Sequence, residues 1–222
     1  MGAIADNLQA VRARLKAARG VTAPVTLLAV SKGHGVERIR EAMAAGQKAF
    51  GENYVQEAVE KMKVLPPLDW HLIGPLQSNK TRIAAEHFAW VQTLSSEKIA
   101  RRLSEQRPAD RSPLNVLIQV NVSAEPTKSG VTPQEVKNLA SAVSTMPRLR
   151  LRGLMAMPEP GADRSRFALA RKVFDQLKSG FGLDTLSMGM SDDMDVAIAE
   201  GATMVRIGTA IFGQRKREKD AA

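Results

Sequence analysis

Residues 25–64 read VTLLAVSKGHGVERIREAMAAGQKAFGENYVQEAVEKMKV, and the alternation within this stretch decides the fold. Two short apolar or β-branched runs predict buried strands, at Val25–Ser31 and Ala49–Glu52. Each run is followed by an amphipathic segment with helical spacing, at Val36–Ala45 and Val55–Val64. Strands that alternate with helices pair in parallel, so the stretch predicts two successive strand–helix units of an α/β fold.

The same alternation continues along the rest of the chain. Further strands are predicted at Trp70–Gly74, Trp90–Leu94, Asn115–Asn121, Arg152–Met157, Thr185–Met190 and Met204–Phe212. Further helices are predicted at Ser78–His87, Ser96–Gln106, Pro133–Thr145, Arg166–Ser179 and Asp192–Glu200, with Ser95 or Ser96 and Thr132 as capping residues and an extra helix in front at Ala5–Ala18. Eight units favour a single-domain (β/α)8 TIM barrel covering residues 1–222. The competing fold is a doubly wound open sheet, which usually has fewer strands.

The composition excludes several classes of protein. The 222 residues are 44% hydrophobic and 25% charged, which excludes a disordered chain, a collagen-like fibre and a coiled-coil rod. The chain has no cysteine and three histidines, which excludes disulfides and argues against a metal site. It lacks an apolar run long enough for a membrane span and the apolar core of a secretory signal. We therefore expect a cytoplasmic protein that does not bind membranes.

The charge favours anionic partners without choosing among them. The formal net charge is +9, which suits phosphorylated small molecules, nucleic acid or acidic lipid. The six Phe, two Trp and one Tyr are not interleaved with the basic residues, so no stacking platform for single strands is predicted. We expect no specific binding of nucleic acid.

Lys32 is the first candidate for chemistry. It follows the first predicted strand, and in a barrel the ligand-binding residues lie at the carboxyl ends of strands. A partly desolvated lysine at such a position can form a Schiff base with an aldehyde. Considered alone, Lys32 is better explained as a solvated lysine that ends a strand.

The last two strands end in groups that suit a phosphate. Barrels commonly bind phosphate through these loops, where the chain has Ser191, Gly208 and Thr209. Glycine allows a close backbone approach, and threonine offers N–H and hydroxyl donors. Ser191 is also predicted to cap the helix that begins near Asp192. Ordinary turn residues at strand ends remain the alternative explanation.

Two further polar residues lie directly after the second predicted strand and on the third. Asn53 can hydrogen-bond a ring substituent or cap the following helix, and the capping role is the better supported. His71 alternates with Leu72 along its strand and is predicted to be a hydrogen-bonded histidine inside the barrel.

Several of these segments, taken in order, resemble the YggS-type pyridoxal phosphate homeostasis proteins. The resemblance extends from about residue 25 to residue 213 and rests on residues 29–32 (AVSK), 50–57 (FGENYVQE), 70–74 (WHLIG), 76–80 (LQSNK), 186–193 (LSMGMSDD) and 205–213 (VRIGTAIFG). A series of motifs of this length in this order is specific, whereas any one tetrapeptide would not be.

The resemblance implies a barrel similar to the N-terminal barrel of bacterial alanine racemase, with pyridoxal 5′-phosphate (PLP) held as a Schiff base on Lys32. It also implies the roles of the other cofactor-binding residues: the phosphate is held by Ser191, Gly208 and Thr209, the pyridine nitrogen faces Arg206, and the ring or its 3-hydroxyl touches Asn53. A guanidinium beside the nitrogen makes the ring a weaker electron sink than a carboxylate would. The chain departs from the family pattern at Gly33-His34-Gly35, which predicts a more mobile loop and a His34 that titrates near neutrality.

The function implied by the resemblance is intracellular PLP homeostasis, meaning storage, buffering or delivery of the cofactor to PLP-dependent apoenzymes, without catalytic turnover. Racemase-like catalysis needs a second domain that supplies a tyrosine, and we expect none because only residues 214–222 follow Gly213. Tyr54 is the one tyrosine, and its position predicts no partner. We further expect a monomer or weak dimer. The alternative function is a PLP-dependent enzyme that acts on small amino acids.

Overall fold

Eight parallel strands close into a barrel in the computed structural model, which describes residues 2–19, 24–123 and 129–214. The strands are β1 (Thr26–Val30), β2 (Ala49–Glu52), β3 (Asp69–Leu72), β4 (Trp90–Leu94), β5 (Leu114–Val120), β6 (Leu149–Ala156), β7 (Thr185–Ser187) and β8 (Met204–Ile207). Each strand pairs with the next along the chain, and β8 pairs with β1 over four residue pairs. The closure confirms the predicted TIM barrel and rules out the open sheet.

Nine α-helices lie within the described residues. They are α1 (Ala3–Arg19), α2 (Val36–Ala44), α3 (Val55–Val64), α4 (Thr81–His87), α5 (Glu97–Gln106), α6 (Val136–Ser144), α7 (Arg164–Phe181), α8 (Met194–Ala199) and α9 (Thr209–Phe212), and a short 3-10 helix precedes α4 at Ser78–Lys80. The predicted extra helix in front of the barrel is therefore present as α1. In the described ranges, no helix combines the length and the apolar character needed to span a membrane.

The strands alternate between a face towards the helices and a face towards the barrel interior. The large apolar cluster between strands and helices contains Phe50, Phe167 and Phe174. Two small apolar clusters are separate from it and line the interior, one formed by Leu28, Ala49 and Met204 and the other by Trp90, Leu117 and Met155. Because the interior is filled with side chains, a ligand has room only at an end of the barrel.

The last two strands end earlier than predicted. β7 ends at Ser187 rather than Met190, and β8 ends at Ile207 rather than Phe212. Beyond β8 the chain turns, because the backbone N–H groups of Ile211 and Phe212 both donate to the carbonyl oxygen of Gly208 at 2.9 Å. This turn is α9, so the prediction of one continuous strand to Phe212 was wrong.

The predicted helix caps had mixed outcomes. Ser96 caps α5 as predicted, since its hydroxyl accepts from the backbone N–H of Ile99 at 3.4 Å. The prediction for Thr132 was wrong: α6 begins at Val136, and the backbone N–H and hydroxyl of Thr132 donate to the Glu135 carboxylate, both at 2.8 Å. Ser191 does not cap α8 either, because this helix begins at Met194, with Asp193 in the N-cap position.

Candidate functional site

A cavity of about 340 Å³ opens at the carboxyl ends of the strands. This volume lies at the lower end of the range of about 300–1,000 Å³ typical of small-molecule sites. Its lining includes all six residues that the family resemblance assigns to the cofactor: Lys32, Asn53, Ser191, Arg206, Gly208 and Thr209. Residues from β1, β2, β7 and β8 therefore meet at one mouth of the barrel, as barrel topology requires of strand ends.

The residues on both sides of Lys32 donate hydrogen bonds to carboxylates. The Ser31 hydroxyl donates to Glu52 Oε1 at 2.6 Å, and the backbone N–H of Gly33 donates to Glu57 Oε1 at 2.7 Å. Gly33 has a φ of 71°, a left-handed conformation that glycine adopts without strain. The backbone around Lys32 is thus fixed from β2 and α3.

A buried cation joins these two carboxylates. Lys61 Nζ donates to Glu52 Oε1 and Glu57 Oε1, both at 2.7 Å, and to the carbonyl oxygen of Ser31 at 2.9 Å. We call Lys61, Glu52 and Glu57 the Lys61 cluster. Burial raises the pKa of Glu52, although the charge and hydrogen bond of Lys61 oppose this shift. Glu52 Oε2 is buried without a hydrogen-bond partner among the described residues. The negative charge of this carboxylate is therefore balanced mainly by Lys61.

The phosphate candidates lie together where β7 and β8 end. The Ser191 hydroxyl accepts from the backbone N–H of Ala210 at 3.4 Å, which joins the loop after β7 to the first turn of α9. A Cβ on Gly208 would lie 3.3 Å from the carbonyl oxygen of Val30, so a side chain there would crowd β1. Ser191, Gly208 and Thr209 therefore form one edge of the cavity, rich in hydrogen-bond donors.

The N-terminal helix braces this edge from outside. Arg14 Nη1 donates to the carbonyl oxygen of Ser191 at 2.8 Å, and its guanidinium pairs with the Asp195 carboxylate at 2.7–3.1 Å. Asn7 Nδ2 donates to the carbonyl oxygen of Ile211 at 2.9 Å. Sequence reasoning predicted the helix but not this role, because no local pattern connects residues so far apart in the chain.

Arg206 lies on β8 with its guanidinium buried at the base of the cavity. It is 5% exposed, and it donates from Nη1 to the Ser187 hydroxyl at 2.9 Å and from Nη2 to the carbonyl oxygen of Ala156 at 3.0 Å. Burial, opposed in part by the charge of Asp193, lowers the pKa of Arg206 to about 10. Arg206 therefore remains a cation at neutral pH.

Asn53 lines the cavity but does not cap α3. Tyr54 occupies the N-cap position without a side-chain capping bond, so the prediction of an Asn53 cap was wrong. A Cβ on Gly74 would lie 2.2 Å from the Asn53 carbonyl oxygen, so the loop after β3 can pass this close only with glycine at position 74. Tyr54 itself is 64% exposed and does not line the cavity.

The loop after Lys32 packs against α9. The His34 ring is 6% exposed and stacks on the Phe212 ring, with 5.1 Å between ring centroids. His34 lines the cavity together with Lys32. Whether this loop is more mobile and whether His34 titrates near neutrality stay predictions.

These features define the class: a closed (β/α)8 barrel whose carboxyl mouth holds a cavity of small-molecule size, lined by an amine and a donor-rich edge. Comparison with known families places the chain within that class. Residues 2–216 match the family described as alanine racemase, N-terminal domain, and the chain belongs to this family.

Individual proteins of known name are also similar to the chain. The chain is 56% identical to the pyridoxal phosphate homeostasis protein of Pseudomonas aeruginosa over 97% of each chain. Among solved structures it is 39% identical to PipY of Synechococcus elongatus with PLP bound, with a TM-score of 0.83 over 95% of this chain and 100% of PipY. The chain also shares the fold of Corynebacterium glutamicum alanine racemase, with a TM-score of 0.73 at 22% identity over 98% of this chain and 62% of the racemase. The predicted family resemblance is confirmed.

Proposed function

We propose that the cavity binds PLP as a Schiff base on Lys32 and that the protein stores and delivers this cofactor without catalytic turnover. One observation carries the proposal: a lysine amine, a donor-rich edge and a buried guanidinium line the same cavity of about 340 Å³. These three features match the aldehyde, the phosphate and the ring nitrogen of PLP. When bound, PLP supplies an aldehyde that condenses with primary amines.

The donor set fits the cofactor in charge as well as in position. Ser191 and Thr209 offer hydroxyls, and Gly208 offers backbone close to them. Two cations, Lys32 and Arg206, line the cavity, against one carboxylate, that of Asp192. We therefore propose that Ser191, Gly208 and Thr209 hold the phosphate and that Asn53 contacts the ring.

Arg206 supports storage rather than turnover. A cationic guanidinium can only donate hydrogen bonds, so the ring atom opposite it must be an acceptor, which means an unprotonated pyridine nitrogen. An unprotonated ring withdraws electrons less strongly, and reactions at the α-carbon of an amino acid depend on that withdrawal. The name of the Pseudomonas aeruginosa relative and the PLP in PipY support the same proposal.

A binding titration tests the proposal. The cofactor-free chain is titrated with PLP and with pyridoxal, which lacks the phosphate, and binding is followed by absorption. We expect PLP to bind far more tightly than pyridoxal, and Ser191→Ala to weaken PLP about tenfold, as loss of a hydrogen bond to a charged group would. The control is Ser144→Ala, because Ser144 lies at the exposed end of α6. Equal affinities for PLP and pyridoxal would contradict the assignment of the phosphate edge.

Delivery is tested by transfer. The loaded protein is mixed with a PLP-dependent apoenzyme, and recovery of that enzyme's activity is compared with recovery in an equal concentration of free PLP. We propose that such apoenzymes are the recipients. Recovery no faster than the measured release of PLP into solution would reduce the role to storage.

The alternative function is an enzyme that acts on small amino acids. The fold shared with alanine racemase and the presence of His34 in the cavity favour it. Incubation of the loaded protein with each L-amino acid in deuterated water separates the two functions. Rapid exchange of the α-hydrogen would establish turnover, and we expect none.

A further inference from the structure

Polar side chains form a continuous hydrogen-bonded path through the barrel interior. The path runs from the start of β3 to the cavity and consists of Asp69, His71, Gln92, Ser187 and Arg206, which we call the axial chain. Its successive bonds measure 3.2 Å, 2.9 Å, 2.7 Å and 2.9 Å. These residues come from four strands, and three of them are fully buried while Arg206 is 5% exposed.

The direction of every bond follows from the chemistry of Arg206. A guanidinium only donates, so the Ser187 oxygen accepts from Arg206, and its single hydroxyl proton is available for Gln92 Oε1. The Gln92 amide nitrogen therefore faces away from Ser187. There it lies 3.2 Å from the sulfur of Met204, an acceptor, which agrees with this orientation.

The same logic determines the tautomer of His71. Gln92 Nε2 donates to His71 Nδ1, so Nδ1 carries no proton. The proton is then on Nε2, which donates to the Asp69 carboxylate at 3.2 Å. Burial lowers the pKa of His71, although the hydrogen bond and charge of Asp69 oppose this shift, so the ring is neutral at neutral pH. All the bonds therefore point from the cavity towards Asp69, whose side chain is 45% exposed.

The surroundings make the path costly to break. The His71 ring stacks on Trp90 with 5.0 Å between centroids, and the Gln92 amide contacts the sulfur of Met204, so a member of each interior apolar cluster contacts the path. In such an environment hydrogen bonds polarise one another, and a member that loses its partner is left buried and unsatisfied.

We propose that the axial chain positions the Arg206 guanidinium for an unprotonated aromatic nitrogen of the bound ligand. Ser187, Gln92 and His71 are positioning residues, because they act through Arg206 and do not line the cavity. The proposal rests on the proposed function, since the aromatic nitrogen is that of PLP. Under this proposal, residues between the cavity and the start of β3 help to set the environment of the PLP ring.

The first test needs no ligand. The protein has three histidines, so a long-range ¹H–¹⁵N correlation spectrum at pH 7 can resolve each ring. We expect His71 to be neutral with its proton on Nε2. In Gln92→Glu an ionised carboxylate can only accept, so we expect Nδ1 of His71 to gain a proton in this variant. A wild-type His71 protonated on Nδ1 would overturn the stated direction.

The second test measures the bound cofactor. Ser187→Ala removes the group that holds Arg206 Nη1, while Ser104→Ala removes a buried hydroxyl on α5, outside the axial chain. We expect Ser187→Ala to shift the absorption maximum of bound PLP and to speed PLP release about tenfold, and Ser104→Ala to do neither. Indistinguishable spectra and release rates in the two variants would overturn the proposal. A wild-type protein that binds no PLP would instead refute the proposed function. The His71 tautomer would still show in which direction the hydrogen bonds of the axial chain run.

Discussion

Replacing Lys61 by methionine should destabilise the protein far more than the same replacement of a surface lysine. The Lys61 side chain is 7% exposed, and it compensates Glu52, which is fully buried. Methionine keeps most of the volume but leaves that carboxylate without its cation. We expect a loss of about 3–5 kcal/mol in the free energy of unfolding at pH 7, the cost of leaving one partner of a buried pair uncompensated.

The loss should depend on pH in a definite direction. The folded-state pKa of Glu52 is raised by burial, so its contribution to stability is fully present below its unfolded pKa and is lost as the pH rises through the folded pKa. Removing Lys61 removes an effect that lowers this pKa, so the pKa rises further. The variant should therefore lose less stability at about pH 5, where Glu52 more readily takes up a proton, than at pH 7.

Urea unfolding followed by circular dichroism measures these differences. The matched control is Lys63→Met, two residues along the same helix, where Lys63 pairs with Glu60 at 60% and 70% side-chain exposure. That exposed pair should contribute less than about 1 kcal/mol. A double variant, Lys61→Met with Glu52→Gln, should recover much of the loss because no buried carboxylate remains unpaired. Equal losses in the two lysine variants, or a loss that does not change with pH, would refute the reasoning.

Two further perturbations test other parts of the fold. Arg14→Ala removes the hydrogen bond from α1 to the Ser191 loop, so PLP release should accelerate severalfold. The free energy of unfolding should fall by only about 1 kcal/mol, because Arg14 is partly exposed, and unchanged release kinetics would show that this contact does not support the site. Gly153→Ala should lower stability by more than about 3 kcal/mol, because Gly153 has a φ of 156° and its Cβ would lie 1.7 Å from the carbonyl oxygen of Thr185. The control is Gly180→Ala within α7, where nothing lies within 4 Å of the new Cβ, and its melting temperature should rise slightly. Equal melting temperatures for the two variants would contradict the steric argument.

The barrel was predictable because each strand is a short apolar run followed by a helix with an apolar face. The end of β8 was not predictable in the same way. The segment from Met204 to Phe212 is apolar throughout, and a short run of this kind does not distinguish a strand from a helical turn. The structure resolves the ambiguity at Gly208, whose carbonyl oxygen accepts the two hydrogen bonds that close α9.

Lys32, Asn53, Ser191, Gly208 and Thr209 were predictable as cavity residues from their positions, because strand ends in a barrel converge on one mouth. Arg206 was assigned to the site only by the family resemblance. The groups that support them were harder to find. Glu57 and Lys61 are four residues apart on α3, a spacing that signals an ion pair, but nothing in the sequence connects this pair to Glu52. The bond between Gln92 and Ser187 joins residues 95 positions apart, and only the closure of the barrel brings them together.

The most direct test of the central claim is to locate the covalent attachment of PLP. The protein is reconstituted with PLP, reduced with borohydride, digested and mapped by mass spectrometry. We predict one pyridoxyl group per chain, carried by the peptide that contains Lys32, on a protein whose visible absorption band disappears on reduction. A protein that stays colourless after reconstitution, or a label found on another lysine while Lys32 is unmodified, would contradict the account.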